Sequence, residues 1–167
     1  FGVFAYYLLS SFNLLVVLLP ADLLDVAVLV IMILKISTAG LTMGWYAKRH
    51  AITGLMIPTF GLAYALSGWM LANSFNLMWL DAAILLPLII QSLETLLNGG
   101  RVFAYIGWLT AAFIVNFYAG YMIAIFLVLY TGYWLGSHAT SWRQASHTSM
   151  RFVWASILAG MNSAVVL

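Results

Sequence analysis

Two residues in this chain carry a charge inside an otherwise apolar neighbourhood. Lys35 lies in Val30-Ile31-Met32-Ile33-Leu34-Lys35-Ile36, and Asp81 follows Met78-Trp79-Leu80. An ammonium at membrane depth costs about 3 kcal/mol or more to insert, so it faces protein or water and takes a partner. Lys35 therefore suits an anionic ligand such as a lipid phosphate. A structural ion pair or a snorkelling side chain would explain it equally well. Asp81 opens an apolar run, where unpaired backbone N–H groups and the helix dipole favour a carboxylate. At an outer rim the same group can also bind a metal, orient a sugar or act as a base.

Three further groups carry polar chemistry. Gln91, Glu94 and Asn98 recur at three- and four-residue steps, so they form one helical stripe. Such a stripe lines a cavity or locks a neighbour, and for Glu94, near a helix end, plain solvation suffices. Asn116-Phe117-Tyr118-Ala119-Gly120-Tyr121 places an amide, a hydroxyl and a glycine at a break between apolar runs. Asn73, Ser74 and Asn76 close another run. His138 and His147 fall in the polar stretch Ser137–Ser149 without a carboxylate nearby, which argues against a metal site. No phosphate-binding loop, zinc motif or nucleophile elbow is present.

The elements that position these residues are apolar segments. Of 167 residues, 65% are hydrophobic and 6% charged, and the mean hydropathy is +1.07. A soluble domain carries about 25% charged residues. The solvent that accepts this chain is lipid. The net charge of +2 and the scattered cations exclude a nucleic-acid surface. There is no cysteine for a disulfide or a thiolate metal site.

Segments are expected at about 2–19, 23–47, 52–72, 77–97, 102–117, 118–135 and 150–167. The stretch Val102–Leu135 exceeds one crossing of a ~30 Å core and reads as a hairpin of two shorter helices, breaking at Asn116, Tyr118 and Gly120. The fold class is all-α: a polytopic transmembrane bundle of about five spanning helices plus one interfacial or re-entrant helix. The latter is segment 2–19, interrupted by Ser10, Ser11 and Asn13; it either lies along or dips into the outer face, or enters from the cytoplasm as a full span. The chain opens on Phe1 inside one apolar run and stops at Leu167 inside another, as an internal fragment of a larger membrane domain would.

Cations set the orientation. Lys48 and Arg49, Arg101, and Arg143 with Arg151 all fall on one side, which the positive-inside rule makes cytoplasmic. The breaks at Asp22 to Asp25, Asn73 to Asp81 and Asn116 then face outward. Small residues suggest where helices meet: Gly61, Ala65, Gly68 and Ala72 share one face, and Ser37, Gly40 and Gly44 another. Pro58 and Pro87 should start or kink helices.

With these pieces placed, the chain resembles the bacterial YfhO family. The resemblance rests on Phe4-Ala5-Tyr6-Tyr7-Leu8-Leu9-Ser10, on Leu34-Lys35-Ile36 with Ala39-Gly40-Leu41, and on Trp79-Leu80-Asp81 with Leu85-Leu86-Pro87-Leu88. Asn116-Phe117-Tyr118-Ala119-Gly120-Tyr121 completes it. Each motif is weak alone; four in order are more specific. Ser11 departs from the family's expected proline. The resemblance implies a GT-C-like glycosyltransferase in the bacterial plasma membrane. Such an enzyme would move a sugar from a polyprenyl-phosphate donor to a cell-wall polymer, notably lipoteichoic acid, on the outer face. It also implies a catalytic aspartate upstream of Phe1, so the catalytic residue lies outside this chain. The substrate-binding candidates at the outer rim are Asp81, Asn76, Asn116 and Tyr118, with Lys35 if a cavity descends to it. No cofactor is visible in the residues. A divalent metal is compatible with the chemistry, but no ligand set for one can be read. The partners implied are membrane lipids, the lipid-linked donor and the polymer acceptor, and no nucleic acid. A transporter or lipid flippase, or a non-catalytic membrane scaffold, would share the broken helices and the intramembrane cation.

Overall fold

The computed structural model describes residues 10, 12–18, 20, 23–138 and 141–164, and within 13–18 not the side chains of 15, 17 and 18. The motif from Phe4 to Leu9, Ser11, Asp22 and the last three residues lie outside that set. All regular structure among the described residues is helical. A 3₁₀ helix, Asn13–Leu18, precedes seven α-helices: α1 Leu24–Arg49, α2 Met56–Ala65, α3 Gly68–Ala72, α4 Leu77–Leu97, α5 Phe103–Val115, α6 Phe117–His138 and α7 Trp142–Ala164. Three of them, α1, α4 and α6, are long and apolar enough to cross a membrane; Met56–Ala72 and α5 are shorter apolar helices. The chain forms two compact units, Phe1–Leu88 and Ile89–Leu167, with α4 running through the division.

In the first unit α2 packs along α1. The contact is backbone on backbone: a Cβ at Gly61 would sit 2.7 Å from the Gly40 carbonyl oxygen, and one at Gly40 would sit 3.2 Å from the Ala65 Cβ. Where no hydrophobic drive separates helix from lipid, close approach of small residues supplies the attraction. The expected four-residue face holds only for Gly61 and Ala65, which are buried, whereas Gly68 and Ala72 are exposed. The cause is a break at Leu66–Ser67. Ser67 adopts an extended backbone and its hydroxyl accepts from the Met70 N–H, starting α3 in a new direction.

Pro58 is the third residue of α2, where its missing N–H leaves nothing unpaired. Pro87 lies inside α4 and cannot bond the carbonyl four residues back, that of Ala83. The Tyr64 hydroxyl donates to that carbonyl at 2.8 Å. A helix defect in an apolar setting is thus repaired by a neighbour's side chain.

In the second unit α7 packs on α5. Tyr105, fully buried, has its hydroxyl 2.9 Å from that of Ser156 and its ring 6.1 Å from Phe152; Thr110 donates to the Ala159 carbonyl at 3.2 Å. The expected hairpin breaks at Asn116 alone, which is extended between α5 and α6. Tyr118 and Gly120 belong to α6, where Gly120 lets the two helices close: a Cβ there would lie 2.9 Å from the Phe113 ring.

The last segment begins earlier than expected. The polar stretch Ser137–Ser149 lies outside the expected segments, yet the chain is helical from Trp142 because Ser141 caps it, its hydroxyl accepting from the Gln144 N–H at 3.3 Å. His147 consequently sits on α7, and His138 is the last residue of α6.

Candidate functional site

The first unit brings together the two charges that the sequence singled out. The Lys35 Nζ donates to Asp81 Oδ2 at 2.8 Å and to the Leu77 carbonyl at 2.9 Å, and lies 5.9 Å from the centre of the Phe12 ring. Lys35 is 0% exposed and Asp81 6%. The Ser10 hydroxyl is also buried, beside the same carboxylate. Beneath the pair pack Ala39, Met70, Leu80, Ala83 and Ile84, flanked by Met32, Ile36 and Tyr64. Helical register accounts for the arrangement. Lys35 shares a buried stripe of α1 with Ala27, Ile31 and Ala39 at four-residue steps, and Asp81 lies beside Leu80 and one turn from Ile84 on α4.

Two charges withdrawn from water are worth little net stability when paired, but removing either one is costly. This pair therefore acts as a pin: it holds the start of α4 against the middle of α1. The consequence is a difference in height. The first eleven residues of α1, up to Leu34, extend about 17 Å beyond Lys35 towards the N-terminus of the helix. α4, by contrast, begins at Leu77, whose carbonyl Lys35 touches. The turn Asn73–Asn76 thus sits beside the middle of α1, well short of its N-terminal end and within a side chain's length of Lys35. Its polar groups are partly satisfied locally: Asn73 donates to the Trp69 carbonyl and Ser74 to that of Leu71. Asn76 is exposed. Trp69 and Trp79 flank the turn, their rings 6.3 Å apart.

Asn116 and Tyr118 lie in the second unit. Asn116 is buried, and its Oδ1 accepts from the Ala119 N–H at 3.1 Å, so it caps α6. Tyr118 is exposed on the first turn of α6. The candidates thus divide between Lys35, Asp81 and Asn76 in one unit and Asn116 and Tyr118 in the other.

Glu94 is not merely solvated. Its carboxylate accepts from the Tyr130 hydroxyl at 2.6 Å, tying α4 to α6, while the buried Gln91 Oε1 one turn away meets no hydrogen-bond partner. Sequence reasoning also missed Tyr64 and Phe12. Pro87 announced the need for a donor like Tyr64, but nothing in the sequence named which side chain would supply it. Among the described residues no group of three metal-ligating side chains forms.

Long apolar helices pinned by one buried ion pair, joined through small-residue contacts and interrupted by polar turns, define an integral membrane protein. Over residues 1–167 the chain matches the family model described as bacterial membrane protein YfhO, and it belongs to that family. Comparison with curated proteins and with solved structures gave no match.

Proposed function

We propose that this chain is part of a GT-C-like membrane glycosyltransferase. In this reading the enzyme moves a sugar from a polyprenyl-phosphate donor to a cell-wall polymer such as lipoteichoic acid, on the outer face of the bacterial plasma membrane. The observation that carries the reading is the low-lying polar turn Asn73–Asn76, held against mid-α1 by Lys35 and Asp81. With Lys48 and Arg49 at the inner boundary, Lys35 stands about 20 Å above it, so the pair lies roughly 10 Å beneath the outer edge of a ~30 Å core. Non-helical polar backbone at that depth is tolerated where it is buried in protein or lines a water-filled recess. Such a recess admits an acceptor hydroxyl from water, while the donor keeps its tail in lipid and its phosphate at the rim.

In this mechanism a carboxylate supplied upstream of Phe1 takes the acceptor's proton as the sugar–phosphate bond breaks. Lys35 and Asp81 position the recess floor. Asn76 and the flanking Trp69 and Trp79 meet the sugar-bearing substrates at its wall. The test uses full-length protein in proteoliposomes with a labelled polyprenyl-phosphate sugar and lipoteichoic acid. Label should appear on the polymer, and Asp81→Asn at normal membrane levels should lower that transfer. Undiminished transfer by the variant excludes an essential charge at Asp81. Movement of the donor across the bilayer without transfer replaces the reading with a flippase.

A further inference from the structure

From Thr95 to Leu167 the sequence holds three arginines and no Asp or Glu. One of them, Arg151, stands at a sharp polarity boundary on α7. Arg143, Gln144, Ser146, His147, Thr148 and Ser149 precede it, and Phe152-Val153-Trp154-Ala155 follows. A helix of this pattern enters the bilayer at Arg151, which sets that side chain at the height of the lipid phosphates.

The guanidinium there is fixed in place. Its Nη2 donates to the Gly100 carbonyl at 2.6 Å, across the turn that joins α4 to α5. Gly99, at φ +85°, forms that turn, and a Cβ on it would lie 3.9 Å from Arg151 Nη1. Guanidinium offers five N–H donors. Among the described residues Gly100 is its one acceptor and no carboxylate pairs with it. Beside it lies a groove of about 290 Å³ between the start of α5 and α7, lined by Ile106, His147, Arg151, Trp154 and Leu158 among others. The volume suits a headgroup rather than a whole lipid. Ile106 and Leu158 continue the wall in apolar character towards the hydrocarbon, and Trp154 presents an amphipathic ring at the same level.

We propose that this groove binds the headgroup of an anionic glycerophospholipid of the inner leaflet. Arg151 and His147 meet the phosphate, Trp154 flanks the glycerol, and an acyl chain runs along Ile106 and Leu158. Charge complementarity chooses the occupant: basic pockets between helices on the cytoplasmic side select anionic headgroups. The inner-leaflet assignment rests on the orientation proposed above; the binding itself does not.

The test titrates full-length protein in neutral detergent with dioleoyl phosphatidylglycerol and with dioleoyl phosphatidylcholine, counting bound lipids by native mass spectrometry. Phosphatidylglycerol should bind roughly fivefold more tightly or better, and Arg151→Gln should lower that preference over phosphatidylcholine by about that factor. Because Arg151 also anchors the Gly100 turn, His147→Gln supplies a variant at an exposed position, expected to lose part of the preference with an unchanged melting temperature. Arg143→Gln, away from the groove, should keep the full preference. Equal retention of the two lipids by the unmodified protein overturns the proposal, as does a preference untouched by both groove variants. Competition by soluble glycerol phosphate at matched concentration overturns the lipid as ligand.

Discussion

Removing one member of the Lys35–Asp81 pair should be far more damaging than removing both. In Asp81→Leu the Lys35 ammonium keeps the Leu77 carbonyl but loses its countercharge at a site with no solvent contact. In Lys35→Met the carboxylate loses its countercharge while remaining buried. Stranding one charge of a buried pair costs about 3–5 kcal/mol, whereas replacing both by apolar groups of similar volume is often neutral or stabilising. The double variant Lys35→Met with Asp81→Leu should therefore recover most of either single loss. Its coupling energy should exceed about 3 kcal/mol, against the ~0.5 kcal/mol within which independent sites add. Reversible unfolding of the full-length protein in mixed micelles by added SDS measures all three. Losses that simply sum in the double variant would refute the pin. The same double variant also separates two roles. If the pair only holds the recess in shape, sugar transfer returns with stability; if either charge touches substrate, the stable double variant remains inactive.

The proline repair predicts a second coupling. Tyr64→Phe strands the Ala83 carbonyl and should cost about 1–3 kcal/mol, the penalty for an unsatisfied buried acceptor. In a Pro87→Ala background the restored N–H supplies the missing donor, and the same substitution should become nearly silent. Gly61→Ala drives a methyl into the Gly40 backbone and should cost about 1–3 kcal/mol, read in the same micellar unfolding. Tyr130→Phe removes the donor to Glu94 and should cost about 1.5–3 kcal/mol, the range for a hydrogen bond to a charged group.

Much of the bundle was legible because lipid imposes a simple rule on composition. A chain with so few charges has to be helical in a membrane, and its polar breaks fall near most helix ends. The break near Asn116 and the small-residue faces carrying Gly40 and Gly61 followed from one-letter spacing, but not that these two faces meet each other. The interruption at Ser67 did not, because a serine within an apolar run is usually back-bonded to its own helix and only its extended backbone marks a cap. The helical start at Trp142 was missed for a related reason: a run of Ser, His, Arg and Gln looks like a loop until Ser141 is seen as its cap.

The candidate site was half legible. Lys35 and Asp81 stood out by their cost, which requires a partner but does not say which one. Their meeting depends on the height at which α4 begins, a tertiary fact with no local signature. The same holds for Glu94, whose partner Tyr130 is 36 residues away.

The central claim is that the Asn73–Asn76 turn opens to the outside while the cationic ends face the cytoplasm. Single cysteines placed at Asn76, Leu80 and Gly100 of a full-length protein whose other cysteines have been replaced would test it, by labelling intact cells with a membrane-impermeant maleimide. The account predicts rapid labelling at Asn76, none at Leu80, and labelling at Gly100 only after permeabilisation. A reactive Gly100 in intact cells, or an Asn76 that reacts only from within, contradicts it.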